Sequence, residues 1–201
     1  YLYACAVSER FLVTGSCDFC SATVWNLNDG SKIRSLDGHT EDINAITLSS
    51  DETYVFTGDN EMARQWCLES GKQIKTYEGH KKGEITSLCL AVDDTRLITA
   101  STDNTVIVWD VDTAAQIQVL RGHSDDIYGL SVSSCSRYLA TASKDHTVRL
   151  WNLHNAESIH TFKTDSAVFD VKIASDGRYL FAASGCSVIR YDISDITRDV
   201  P

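Results

Sequence analysis

Proline is almost missing from this sequence: one residue, Pro201, stands at the very end. No Ser/Gly/Pro-rich stretch breaks the 201 residues either, so one continuous region over 1–201 is expected, with no internal linker. No run of 18 apolar residues occurs, so no bilayer-spanning helix is predicted and no membrane partner is expected. No signal-peptide pattern opens the chain, which starts at Tyr1 rather than Met, inside strand-like text; it reads as a fragment or an excised domain. Basic charge is scarce. Lys+Arg number 18 against 28 Asp+Glu, a net charge of −10, which argues against nucleic acid because phosphate binding needs Lys and Arg to displace counterions. Glycine-rich phosphate loops are absent: "GSCDFCSATVWN" and "ASGCSVIR" lack the glycine pattern and the Lys. Nor does any segment keep a sustained helical period.

What is present is an ordinary globular composition, 43% hydrophobic and 23% charged. Seven cysteines (Cys5, Cys17, Cys20, Cys67, Cys89, Cys135 and Cys186) form an odd set scattered through strand-like text. That usage suggests free thiols in a reducing compartment, hence an intracellular, cytoplasmic protein.

The dominant feature is a repeat. Trp25, Trp66, Trp109 and Trp151, with Tyr191 in the next slot, are spaced by 41, 43, 42 and 40 residues. A second marker keeps the same period: Gly38-His39, Gly79-His80 and Gly122-His123. Within a unit, runs such as "INAITLSS", "TYVFTGD" and "ARQWCLES" alternate or run apolar, separated by the turn-like "SSDET", "GDNEM" and "LESGK". Val, Ile, Thr, Tyr and Trp suit a pleated, half-buried surface. Four strands per unit follow, near 43–49, 53–58, 62–68 and 72–77 in the second. One such unit cannot bury both of its faces, so neighbours must stack.

With its Gly-His pairs ahead of "STDNTVIVWD" and "SKDHTVRLWN" at a period near 42, the chain resembles the WD40-repeat family over nearly its whole length. The resemblance implies an all-β fold, a β-propeller of four-stranded blades around a central channel. About five blades are expected, near 1–36, 43–77, 85–120, 127–162 and 167–201. The last is incomplete: "DITRDVP" offers a weak fourth strand or none. Seven blades are usual in the family. Five could close into a small ring, or stand as an open arc of a larger one with exposed blade faces.

The resemblance also implies a hydrogen-bonded set in each blade: the His entering it, a Thr on the second strand, the Asp of the next turn and the Trp. By position these are His39, Thr57 and Trp66 with Asp59 or Asn60; then His80, Thr99, Asp103 and Trp109; then His123, Thr141, Asp145 and Trp151. Unpaired, such buried polar groups would be costly, and joined they tie the turns of a blade together. The first unit keeps Thr14, Asp18 and Trp25 without a Gly-His; the fifth has lost the His, the turn Asp and the Trp.

A His/Thr/Asp constellation also invites a hydrolase reading, but a set recurring once per blade fits a structural role and not one active site. "CDFC" (Cys17 to Cys20) has the spacing of a metal or redox pair, yet neither further ligands nor a helix N-terminus accompany it; an extended turn with two free thiols is the alternative. His146, His154 and His160 lie outside the repeated sets and read as surface residues. No metal and no cofactor are expected.

In the family the partner usually sits on the face bearing the turns into the first strand and between the second and third. By position that face displays Asp42, Asn44, Glu84, Thr86, Thr102, Asp126, Tyr128, Lys144 and Phe169, flanked by Glu41, Lys81, Lys82, Ser124 and Asp125. Acidic groups around Tyr128 and Phe169 would suit a basic peptide with an apolar anchor. The expected function is a non-enzymatic protein- or peptide-binding scaffold. The alternatives are a self-assembling unit, a homo-oligomer paired through open blade edges, and, as a third reading, an enzyme.

Overall fold

The computed structural model describes residues 2–16, 20–60, 62–81 and 83–198. These form nineteen strands in five antiparallel sheets. The first blade is β1 (Leu2–Val7), β2 (Phe11–Ser16), β3 (Ser21–Asn26) and β4 (Lys32–Asp37). The second is β5 (Ala45–Leu48), β6 (Tyr54–Gly58), β7 (Met62–Cys67) and β8 (Gln73–Glu78). The third holds β9 (Ile85–Leu90), β10 (Arg96–Ser101), β11 (Thr105–Asp110) and β12 (Gln116–Arg121). The fourth holds β13 (Ile127–Val132), β14 (Tyr138–Ser143), β15 (Thr147–Asn152) and β16 (Glu157–Lys163). The fifth has three strands, β17 (Val168–Ile173), β18 (Tyr179–Ser184) and β19 (Ser187–Asp192), followed by a short helix, α1 (Ser194–Arg198). The all-β expectation holds. The closing segment supplies that helix in place of a fourth strand among the described residues: Asp192 Oδ1 accepts from the Ser194 N–H (3.1 Å) and hydroxyl (2.5 Å) and caps its start.

Each sheet is a simple meander because two- to five-residue turns join consecutive antiparallel strands. The turns repeat from blade to blade. Glu52, Asp94, Ser136 and Gly177 occupy one position of the turn between first and second strands, with φ of 56°, 54°, 54° and 68°. A shared left-handed residue at a shared place means a shared turn.

In the second, third and fourth blades the second and third strands are largely buried on both faces because a blade packs on each side of them. Phe56, Ala63 and Tyr77 of the second blade meet Ile85, Leu97, Ile107 and Trp109 of the third. The opposite face of the third, Ile98, Ala100, Val106 and Val108, meets Ile127, Leu130, Leu139 and Trp151 of the fourth. Each such large apolar side chain stabilises the stack by about 1.5–3 kcal/mol. Polar links reinforce the rim. Lys75 Nζ donates to the Val111 and Asp112 carbonyls of the next blade (2.8 and 2.6 Å), and Ser50 donates through N–H and hydroxyl to Asp94 (2.7 and 2.6 Å).

Blade-to-blade packing runs through the innermost strands, β1 on β5, β5 on β9, β9 on β13 and β13 on β17, and the five sheets do not close into a ring. The consequence shows at the fifth blade. Phe181 is 37% and Val188 74% exposed, whereas Ile98 and Val106, at the same places in the third blade, are fully buried.

Candidate partner-binding face

Beneath the loop face lie the histidine sets. In the fourth blade the Trp151 indole N–H donates to Thr141 Oγ1 (2.9 Å), Thr141 meets His123 Nε2 (2.6 Å), and His123 Nδ1 meets Asp145 Oδ2 (2.8 Å). One assignment satisfies every group: Trp N–H to Thr oxygen, Thr O–H to His Nε2, His Nδ1–H to carboxylate. It requires a neutral imidazole. Burial pushes the His123 pKa down, and the Asp145 hydrogen bond only partly opposes this. Burial also works to raise the Asp145 carboxyl, but hydrogen bonds from the Thr147 hydroxyl, the Ser124 N–H and His123 win and hold it below the ordinary carboxylate range. The third blade repeats the arrangement with Trp109 to Thr99 (2.9 Å), His80 Nε2 to Thr99 (2.8 Å) and His80 Nδ1 to Asp103 (3.2 Å).

In the second blade Trp66 donates to Thr57 (2.8 Å), His39 Nε2 meets Thr57 (2.6 Å), and His39 Nδ1 meets Asp59 Oδ2 (2.8 Å), so Asp59 and not Asn60 takes the acid's place. The sequence reading passed over one member here. Thr105 and Thr147 each donate to their Asp at 2.6 Å, but Met62 stands at that position in the second blade. The Arg64 guanidinium, 7% exposed, pairs with Asp59 instead. The available signal was Met62 in the Thr position together with an Arg two positions before the Trp; the fourth blade has Arg149 there but keeps Thr147. Burial again lowers the His39 pKa; the Asp59 hydrogen bond opposes it and the Arg64 charge adds to it. The first blade keeps Trp25 to Thr14 (2.9 Å), while Cys17 and Asp18, and so the "CDFC" pair as a pair, lie outside the described residues.

Thr57, Thr99 and Thr141 are each 0% exposed, so none can reach a substrate as a nucleophile. Among the described residues no group of three or more His, Cys, Asp or Glu is placed to hold a metal ion. No helix among them is long and apolar enough to cross a membrane.

Of the nine face residues, four come together. The Tyr128 and Phe169 rings stack with centroids 5.7 Å apart and planes at 18°, and Phe169 is 55% exposed. The Tyr128 hydroxyl reaches Asp126 Oδ2 (3.3 Å), and Lys144 Nζ bridges Asp126 (3.3 Å) and Asp125 (3.4 Å). Burial, then the Asp126 charge, raises the Tyr128 phenol pKa, so it stays a neutral donor. The other five are spread along the arc. Asn44 donates to Asn60 Oδ1 (3.1 Å), and Thr102 Oγ1 accepts from the Glu84 N–H (3.0 Å). Thr86 turns its hydroxyl to the backbone carbonyls of Ala100 and Ile127. Asp42 is half-buried on the chain entering β5.

Stacked four-stranded blades held by recurring Trp-Thr-His-Asp chains define a repeat protein of the β-propeller class. The model for the WD domain, G-beta repeat, matches residues 30–67, 71–110, 114–152 and 156–192, and the chain belongs to the WD40-repeat family. Each matched repeat starts near the outer strand of one blade and continues into the inner strands of the next. The chain is 30% identical over 188 residues to the mouse Transducin-like enhancer protein 2, covering 91% of this chain and 24% of that protein. It is 30% identical over 125 residues to the WD repeat domain-containing protein 83 homolog of Dictyostelium discoideum (61% and 38%). It is also 30% identical over 122 residues to the WD repeat-containing protein WDS homolog of Arabidopsis thaliana (57% and 23%). The chain thus spans well under half the length of these relatives. Proteins of this family serve in general as scaffolds for protein interactions.

Proposed function

We propose that this chain is a non-enzymatic platform that binds a protein or peptide through its loop face, at the Tyr128–Phe169 stack. The carrying observation is an aromatic pair with one ring more than half exposed, set beside Asp125, Asp126 and Lys144. Exposed aromatics on rigid scaffolds act as anchors, and neighbouring carboxylates favour a basic segment. The net charge of −10 supports the same preference. A reducing, cytoplasmic setting is supported by six free thiols among the described residues. The test is a fluorescence-polarisation titration with a panel of basic peptides carrying one apolar anchor. Phe169→Ala should weaken the binders at least ~10-fold with no change in melting. Peptides that bind equally well to Phe169→Ala and Tyr128→Ala variants would place the site elsewhere.

A second reading is supported by the open end. Phe181 and Val188 leave an apolar patch on the fifth blade, which suits association through blade faces. Light scattering across a concentration series distinguishes the two: growth of the mass with concentration supports assembly, and a constant single-chain mass removes it.

A further inference from the structure

The clefts between blades open at the rim, and two of them differ sharply in charge. The cleft between the first and second blades is a cavity of about 450 Å³ whose lining includes Arg10 and Arg34 but also Asp51, Glu52 and Glu69. There Arg10 is bonded to Glu52 (Nε to Oε2, 2.5 Å), so cation and anion cancel. The corresponding cleft between the third and fourth blades is about 330 Å³, lined by Arg96, Arg137, His154, Asn152, Cys135 and Ser136. No carboxylate lines it among the described residues. The reason lies in the turn between first and second strands. Where the second and third blades have Asp51-Glu52 and Asp93-Asp94, the fourth has Cys135-Ser136, at the same left-handed turn position. Asp93, which feels the Arg96 charge, accepts from the Thr95 N–H and hydroxyl (3.2 and 2.9 Å) and does not line the cavity.

A second observation points to a ligand. Asn152 is only 4% exposed, and its Oδ1 accepts from the His154 N–H (2.8 Å). That contact fixes the amide orientation, since an N–H needs the oxygen as acceptor. The Nδ2 donor is therefore turned the other way, in a side chain that lines the cavity, and no hydrogen bond from it to the described residues is formed. Ser136 Oγ accepts from the Val92 N–H (2.9 Å), which leaves its own proton to donate. Two guanidinium groups, an amide donor and a hydroxyl thus line one cavity to which no carboxylate among the described residues contributes.

We propose that this cleft binds a phosphoryl group, as free phosphate or a small phosphomonoester, with Arg96 and Arg137 supplying charge and the Asn152 amide a hydrogen bond. The site is independent of the loop face. The experiment is calorimetric titration of the full chain with inorganic phosphate, and in a second arm with glycerol 3-phosphate. Saturable one-to-one binding is expected; tighter binding of the ester identifies a phosphomonoester ligand, and equal or weaker binding identifies the free ion. Arg137→Gln should weaken binding about tenfold or more. Asn152→Asp should do the same while keeping the fold, because Asp110 and Asp192 already serve that turn position in the third and fifth blades. Arg10→Gln, in the charge-balanced cleft, should change nothing. The proposal fails if no saturation is seen, if a folded Asn152→Asp variant binds unchanged, or if Arg10→Gln weakens binding as much as Arg137→Gln.

Discussion

Replacing Arg64 with Ile tests the second blade's polar set where it differs from its neighbours. In the native blade Asp59 is 1% exposed and carries hydrogen bonds from His39 and the Met62 N–H (2.9 Å), with Arg64 as its buried counter-charge. Removing the guanidinium leaves a carboxylate at a site sealed from water. Breaking one side of a buried ion pair costs about 3–5 kcal/mol, a large part of a domain's total stability of roughly 5–15. Ile is the residue the third blade uses there, Ile107, so the aliphatic volume is nearly retained and lost packing is a minor contribution. A stacked array can open blade by blade, so the measurement is native-state hydrogen exchange read at β6 and β7 rather than one global melt. The expected loss is confined to the second blade and its contacts. Adding Met62→Thr rebuilds the third blade's arrangement, in which Thr105 donates to Asp103 at 2.6 Å, and should recover about 1.5–3 kcal/mol. A drop below about 1 kcal/mol for Arg64→Ile would refute the claim that the pair is a buried, mutually dependent unit. So would a Met62→Thr addition that restores nothing.

Two further predictions concern pH and close packing. His39 and His123 have folded pKa values below their ordinary 6.5, so the unfolded chain binds the proton more readily. Their contribution is complete above 6.5 and declines as pH falls through it; the depressed Asp103 and Asp145, ordinarily 3.8, add a second loss lower down. Urea midpoints should be flat above neutrality and fall between pH 6.5 and 5, and a midpoint that rises over that interval would contradict the neutral-imidazole assignment. Gly129 lies where β13 meets β17, and a Cβ there would sit 2.8 Å from the Asp170 Cα. Backbone cannot yield as a side-chain tip does, so Gly129→Ala should destabilise the fourth–fifth blade contact by about 1–3 kcal/mol. Loss of protection in β17 before β9 is the signature to look for.

Much of the fold could be read from the repeat alone. Trp and Gly-His at a common period, joined by alternating strand text, led to four-stranded units that must stack, and the strands formed where those runs lie. The loop-face residues were less legible. Thr86 and Phe169 occupy equivalent positions, yet one hydroxyl is turned into backbone carbonyls and the other ring is exposed against Tyr128. Position in a repeat says which face a residue is on; its neighbours from the next blade decide whether anything is left to bind with.

By itself the sequence determined the strand order, the blade period and the Trp, Thr and His of each repeated set, because these depend on spacing along one unit and on the propensities of local runs. Tertiary structure decided what depends on two units meeting. It chose Asp59 over Asn60, brought Arg64 in as its counter-charge, gathered Tyr128 with Phe169, and left one inter-blade cleft with no carboxylate among the described residues that line it. It also left the five blades unclosed, with Phe181 and Val188 exposed. The physical reason is common to all of these. Burial, charge and hydrogen-bond satisfaction are properties of a place in space, and residues about 42 apart in the chain share that place only after the blades have stacked.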